Sequence, residues 1–129
     1  MIRKIRRISS DDRGATVVEF AFAMPILIIM IWMIAQLGLA FRAMAGIQHA
    51  LGEGARLATI YPKPSNADIK AKITSKVYGI TPGTFTVVEP VDGSGFVDLR
   101  VNYTQPTTLL LLPGPTISVS RTKRVWVAS

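Results

Sequence analysis

Hydrophobic and polar positions divide this chain into three stretches with different periods. From Phe20 to Phe41 no side chain is charged, and Glu19 and Arg42 bound the run. As a helix it spans roughly 33 Å at about 1.5 Å per residue, which matches a hydrocarbon core of about 30 Å. Pro25 and Gln36 interrupt the apolar pattern without forbidding a spanning helix, because neighbouring groups can satisfy freed backbone positions. Residues 43–61 keep the helical period. Ala43, Met44, Ile47, Ala50, Leu51, Gly54, Ala55, Leu57, Ala58 and Tyr61 gather on one side, and Gln48, His49, Gly52, Glu53 and Arg56 on the other. Within the apolar side Gly46, Ala50, Gly54 and Ala58 recur every fourth residue. Such a small-residue ridge lets another backbone approach closely, either the chain's own sheet or a neighbouring subunit. The helix is expected to end near Ile60, before Pro62 and Pro64.

Residues 63–66 read as a turn, with Ser65 or Asn66 able to cap a second helix. Ile69, Ile73 and Val77 then share one face, and Gly79 offers a stop. Beyond Gly79 the period becomes two. Residues 84–88 are rich in strand formers, and Val97, Leu99, Val101 and Tyr103 alternate with Asp98, Arg100 and Asn102. Asp92-Gly93-Ser94-Gly95 supplies a hairpin turn between the two. Leu109 to Leu112 is a short apolar run near prolines, and residues 116–127 read as a last strand. The expected fold is α+β: a leader over 1–14, a long helix over 15–60 and a small domain over 61–129. The long helix spans the membrane over about 20–41; the domain holds one short helix and about three antiparallel strands.

Charge refines this picture. The net charge is +7, and in the leader Arg3, Lys4, Arg6, Arg7 and Arg13 outweigh Asp11 and Asp12. A basic cluster immediately before an apolar span is a topogenic signal that keeps the N-terminus in the cytoplasm, so the domain is expected outside it. No nucleic-acid-binding motif or aromatic stripe accompanies the charge, and nucleic acid is not an expected partner. The chain has no cysteine, which excludes thiol chemistry and a disulfide frame.

Catalytic chemistry has no foothold. His49 is the single histidine and lies on the polar helix side, where a solvated role is expected. The acidic residues beyond the span are scattered, and Asp98 with Arg100 reads as a surface pair. Gly52-Glu53-Gly54 lies in a helical pattern without the strand-turn context of a phosphate loop. The expectation is a protein that is not an enzyme and needs no metal or cofactor.

The most informative string is Arg13-Gly14-Ala15-Thr16-Val17-Val18-Glu19-Phe20. A carboxylate just inside an apolar helix is costly, about 2.5–3.5 kcal/mol at mid-bilayer and less near the interface. Either it marks the helix start, where it favours the dipole, or it has a partner. Gly14 followed by four residues, Glu19 and the aromatic Phe20 resembles the prepilin-peptidase site of type IVb Flp pilins and their pseudopilins. The longer string through Ala21 and Pro25 resembles the TadE-like family of the tight-adherence (Tad) secretion system. Glu53-Gly54-Ala55-Arg56 and Ile117-Ser118-Val119-Ser120 are similar to that family as well. Phe20 stands where the family pattern has Tyr.

The resemblance implies a pseudopilin or minor pilin that supports Flp-type pilus assembly in the bacterial inner membrane. Its implied partners are a prepilin peptidase, other pilin-like subunits and the Tad machinery, besides membrane lipid. It further implies cleavage between Gly14 and Ala15, with Glu19 offering a counter-charge to the new Ala15 ammonium, its own or a neighbour's. Two other readings compete. One is an anchored envelope protein that binds a partner through its outer domain and never enters a fibre. The other is a secreted protein cut after Ala43-Met44-Ala45, against which the length of the apolar run argues.

Overall fold

The computed structural model describes residues 12–109 and 111–127. Arg3, Lys4, Arg6 and Arg7 of the basic leader lie outside the described residues, as does Leu110. Helix α1 (Asp12–Ala58) runs unbroken for 47 residues, about 70 Å at about 1.5 Å per residue, with Pro25 inside it. It ends at Ala58, just short of Ile60.

Helix α2 (Asn66–Lys76) starts at a local cap: the Ser65 hydroxyl accepts the Asp68 N–H at 3.2 Å and donates to the Asp68 carboxylate at 2.6 Å. Its end comes before Gly79. Val77 is already extended, and Gly79 turns the chain at φ +69° two residues later, beside the Arg42 side chain.

Three antiparallel strands follow: β1 (Thr84–Gly93), β2 (Phe96–Gln105) and β5 (Ile117–Trp126), in the spatial order β1-β2-β5. β1 runs five residues past the strand-rich segment 84–88, because the irregularity between Val88 and Val91 shifts its alternation and hides the continuation. Ser94-Gly95 turns β1 into β2, with Gly95 at φ +76° and Gly93 paired to Phe96. Leu109 to Leu112, expected only as an apolar run, folds back as a second small ladder of β3 (Thr108–Leu109) and β4 (Leu112–Pro113).

The core lies between the sheet and the two helices. β2 alternates cleanly, with Val97, Leu99, Val101, Tyr103 and Gln105 buried. Against them pack Ala43, Ile47, Ala50, Leu51 and Ala58 of α1, together with Ile69 and Ile73 of α2. The model therefore has the α+β architecture that the periods imply: one long helix, one short helix and a three-stranded antiparallel sheet.

Candidate functional site

Helix α1 has a bare half and a covered half. Residues 14–32 are all exposed, and the most apolar window of the helix has mean hydropathy 2.4 with none of it buried. By length and composition this helix can cross a membrane, which is compatible with a single-pass membrane protein. Gly14, Ala15, Glu19, Phe20 and Pro25 all lie on the bare half. Gly14 and Ala15 sit in the first turn of α1, where backbone N–H groups lack intrahelical partners and the helix opens most readily. A Cβ at Gly14 would meet nothing within 4 Å. Glu19 stands four residues after Ala15, so the two share one helix face about one turn apart. Its side chain is exposed, and no ion pair among the described residues reaches it.

The covered half begins inside the uncharged run. Gln36 and Ala40 are buried beneath the domain, although Phe41 at the end of the run points out at 68% exposure. A line of polar contacts fastens this part of the helix to the sheet. Trp32 donates its indole N–H to the Thr108 carbonyl at 2.9 Å, and the Gln36 amide donates to Thr108 Oγ1 at 3.3 Å. Gln105, fully buried, donates to the Gln36 carbonyl at 3.2 Å and accepts from the Tyr103 hydroxyl at 2.8 Å. Burial pushes the Tyr103 hydroxyl pKa up, so it stays a neutral donor. The expected span over 20–41 is thus wholly bare only over its first part. Gln36 interrupts the apolar pattern because the domain grips the helix there.

The small-residue ridge lies farther along. A Cβ on Gly46 would overlap the Tyr78 carbonyl, and one on Gly54 would overlap the Ile73 side chain. Ala50 and Ala58 are buried in the same core. The close neighbours of the two glycines are therefore the chain's own α2 and the segment after it, with Leu99 of β2 also beside Gly54. Ala43, the first residue of the Ala43-Met44-Ala45 site in the secreted reading, is fully buried in mid-helix.

Outside the helix the surface groups pair locally. Asp98 does not pair with Arg100, the partner expected from the shared strand face. It is held by Arg124 across the β2–β5 ladder, with both contacts at 2.8 Å, while Arg100 donates to Thr122 at 3.1 Å. The Arg124 guanidinium holds the Asp98 carboxyl below the usual aspartate value and lies 4.1 Å over the Phe96 ring. Lys63 and Asn66 do the same for Asp92. His49 is exposed and tilts against Tyr78 with ring centroids 5.7 Å apart. Among the described residues no three His, Asp or Glu side chains converge as metal ligands would.

A bare apolar helix that continues without a break into the core of a small α+β head defines a class: proteins carried on one long N-terminal helix. Within that class the residues can be placed further. The family model described as TadE-like protein matches residues 14–56, so the chain carries a TadE-like domain over about a third of its length, as the resemblance implied. The match begins at Gly14 and ends at Arg56, the last residue of Glu53-Gly54-Ala55-Arg56. No curated protein and no solved structure matches the chain.

Proposed function

We propose that this chain is a minor pilin or pseudopilin that supports assembly of Flp-type pili, without catalytic activity of its own. In this reading a prepilin peptidase cuts between Gly14 and Ala15 on the cytoplasmic side of the inner membrane, and the α+β head lies in the periplasm. The observation that carries it is the coincidence of three features at one helix end. The TadE-like match starts at Gly14, the scissile peptide lies in the first helical turn, and Glu19 is exposed one turn beyond.

Cleavage would create an ammonium at Ala15 beside the Glu19 carboxylate. An ion pair between helices in a low-dielectric layer holds subunits in register, because either charge alone is strongly penalised there. The bare half of α1, with Phe20 on it, supplies the apolar surface for lipid and for other pilin-like helices.

The test is the mature N-terminus, read by mass spectrometry from membranes that contain the peptidase. A chain starting at Ala15 is expected, and replacing Gly14 with a bulky residue should leave the precursor uncut. A chain still starting at Met1 would favour the anchored envelope protein, and one starting at Gly46 the secreted one. Glu19→Gln separates the roles of the carboxylate. It should be cut and inserted normally, yet fail to co-purify with other pilin-like subunits or to support surface fibres. Normal fibres would reduce Glu19 to a helix-dipole partner worth about 0.3–1 kcal/mol, and loss of cleavage would make it a recognition element for the peptidase.

A further inference from the structure

We propose that the β3–β4 hairpin is a second membrane contact: Leu111 and Leu112 enter the leaflet on the domain's side, next to the spanning helix. Leu111, in the turn, is 95% exposed, and Leu112, on β4, is 67% exposed, so two adjacent large apolar side chains face solvent. The hairpin is held in place on both sides. Gly114 donates its N–H to the Thr107 carbonyl at 2.9 Å, and the Thr107 hydroxyl bonds the Pro115 carbonyl.

Its position follows from the strand that leads into it. Along β2 the contacts descend α1 towards the bare half: Leu99 lies by Gly54, Gln105 by Gln36, and Thr108 by Trp32 and Gln36. Leu111 and Leu112 follow Thr108 in the hairpin at the end of this path. The exposed helix from Gly14 to Trp32 spans roughly 28 Å, about the thickness of a hydrocarbon core, so the lipid boundary on the domain's side falls near Trp32 to Gln36. Trp32 is the residue type that seats at such a boundary.

Charge agrees with this placement. From Val101 to Ser120 no side chain is charged, so the end of the domain nearest the bare helix is uncharged while the cations of β5 begin at Arg121. Arg42, the first charge after the uncharged run, lies about 15 Å along the helix from Trp32, clear of the hydrocarbon layer. The hairpin is thus continuous with the lipid-facing surface of the helix, and lipid is the occupant that its chemistry fits. This inference rests on the helix crossing a bilayer and is independent of processing at Gly14.

The absence of cysteine makes the test direct. The full chain with Leu111→Cys, labelled with nitrobenzoxadiazole, is reconstituted into vesicles of phosphatidylethanolamine and phosphatidylglycerol. Ile28→Cys on the bare helix and Ser94→Cys in the opposite hairpin serve as references. At 95% exposure the label at position 111 displaces no packed side chain. Its emission is expected to be blue-shifted relative to the Ser94 label, quenched by nitroxide-bearing lipid and protected from aqueous iodide, as at Ile28. Quenching by iodide to the extent seen at Ser94, with Ile28 still protected, would overturn the hairpin contact and leave the span intact. A blue-shifted label insensitive to both quenchers would overturn it as well, by showing the tip covered by protein such as a second copy.

Discussion

The two halves of helix α1 are made of similar apolar material and meet opposite surroundings. In the bare half Ile26, Ile31 and Phe22 lie exposed, whereas in the covered half Ile47 and Leu51 are buried under the chain's own sheet and second helix. What separates them is residue size and spacing. Small residues every fourth position let α2 and the sheet come close to the covered half. Large, branched side chains around the whole circumference of the bare half leave no seat for such an element, and a helix apolar all round suits lipid or other helices. One continuous helix can therefore serve two solvents with no change of backbone.

The sharpest way to break the comparison is to delete equivalent atoms on each side. Ile47→Ala should lower the unfolding free energy of the domain by about 2–5 kcal/mol, through lost burial and the cavity left behind. Ile26→Ala should leave it unchanged, since no domain atom covers that side chain. Denaturation followed by Trp126 fluorescence in detergent compares the two. Equal losses would show that the bare half contributes to the domain after all.

The glycines make the next comparison. Gly46→Ala pushes a methyl against the Tyr78 backbone, which cannot swing aside as a side chain can, and about 1–3 kcal/mol of destabilisation is expected. Gly38→Ala meets nothing within 4 Å and should be neutral or stabilising by up to about 1 kcal/mol, from helix propensity alone. Thermal melts of both variants read the opposite signs.

A smaller effect marks the boundary between the halves. Gln105→Leu removes the donor to the Gln36 carbonyl and the acceptor for the Tyr103 hydroxyl. Because Tyr103 keeps the Ile80 carbonyl at 3.1 Å, the expected loss is only about 1 kcal/mol. It should be accompanied by faster amide exchange near Gln36.

Much of this was legible because it is local. The Gly14 to Phe20 string, the ridge from Gly46 to Ala58 and the alternation of β2 each lie within one element, where period and neighbour spacing carry the information. What escaped reading depends on partners far along the chain. Gln36 looks like a blemish in an apolar run until Gln105 and Thr108 are seen against it. Asp98 pairs with Arg124 rather than Arg100 because ladder register, invisible in a single strand, decides which ends meet. The extension of β1 was hidden by its irregularity, which also carries Pro90 into a strand.

The smallest expected effect concerns acid. Asp92 and Asp98 both titrate below the ordinary aspartate value of about 3.9 because cations hold them ionised. Depressed pKa values mean that their contribution is complete above that value and is lost as pH falls through the lower native ones. Both pairs are solvent-exposed, so the loss should be slight. Domain stability measured from neutral pH downward should stay flat with respect to these two residues until below about pH 4.

The unbroken course of α1 has a mechanical consequence. Helix α1 is gripped by the head from Gln36 to Ala58 and has no joint between Pro25 and that grip, so any lean of this stretch becomes an equal lean of the head. The weak point lies lower, at Pro25, where the proline ring leaves the Ala21 carbonyl without its usual N–H and the rod bends most easily. That pivot sits about 16 Å below the first buried grip at Gln36. Pushing or pulling on the head therefore swings the upper rod as a lever about a fulcrum in the middle of the bare half.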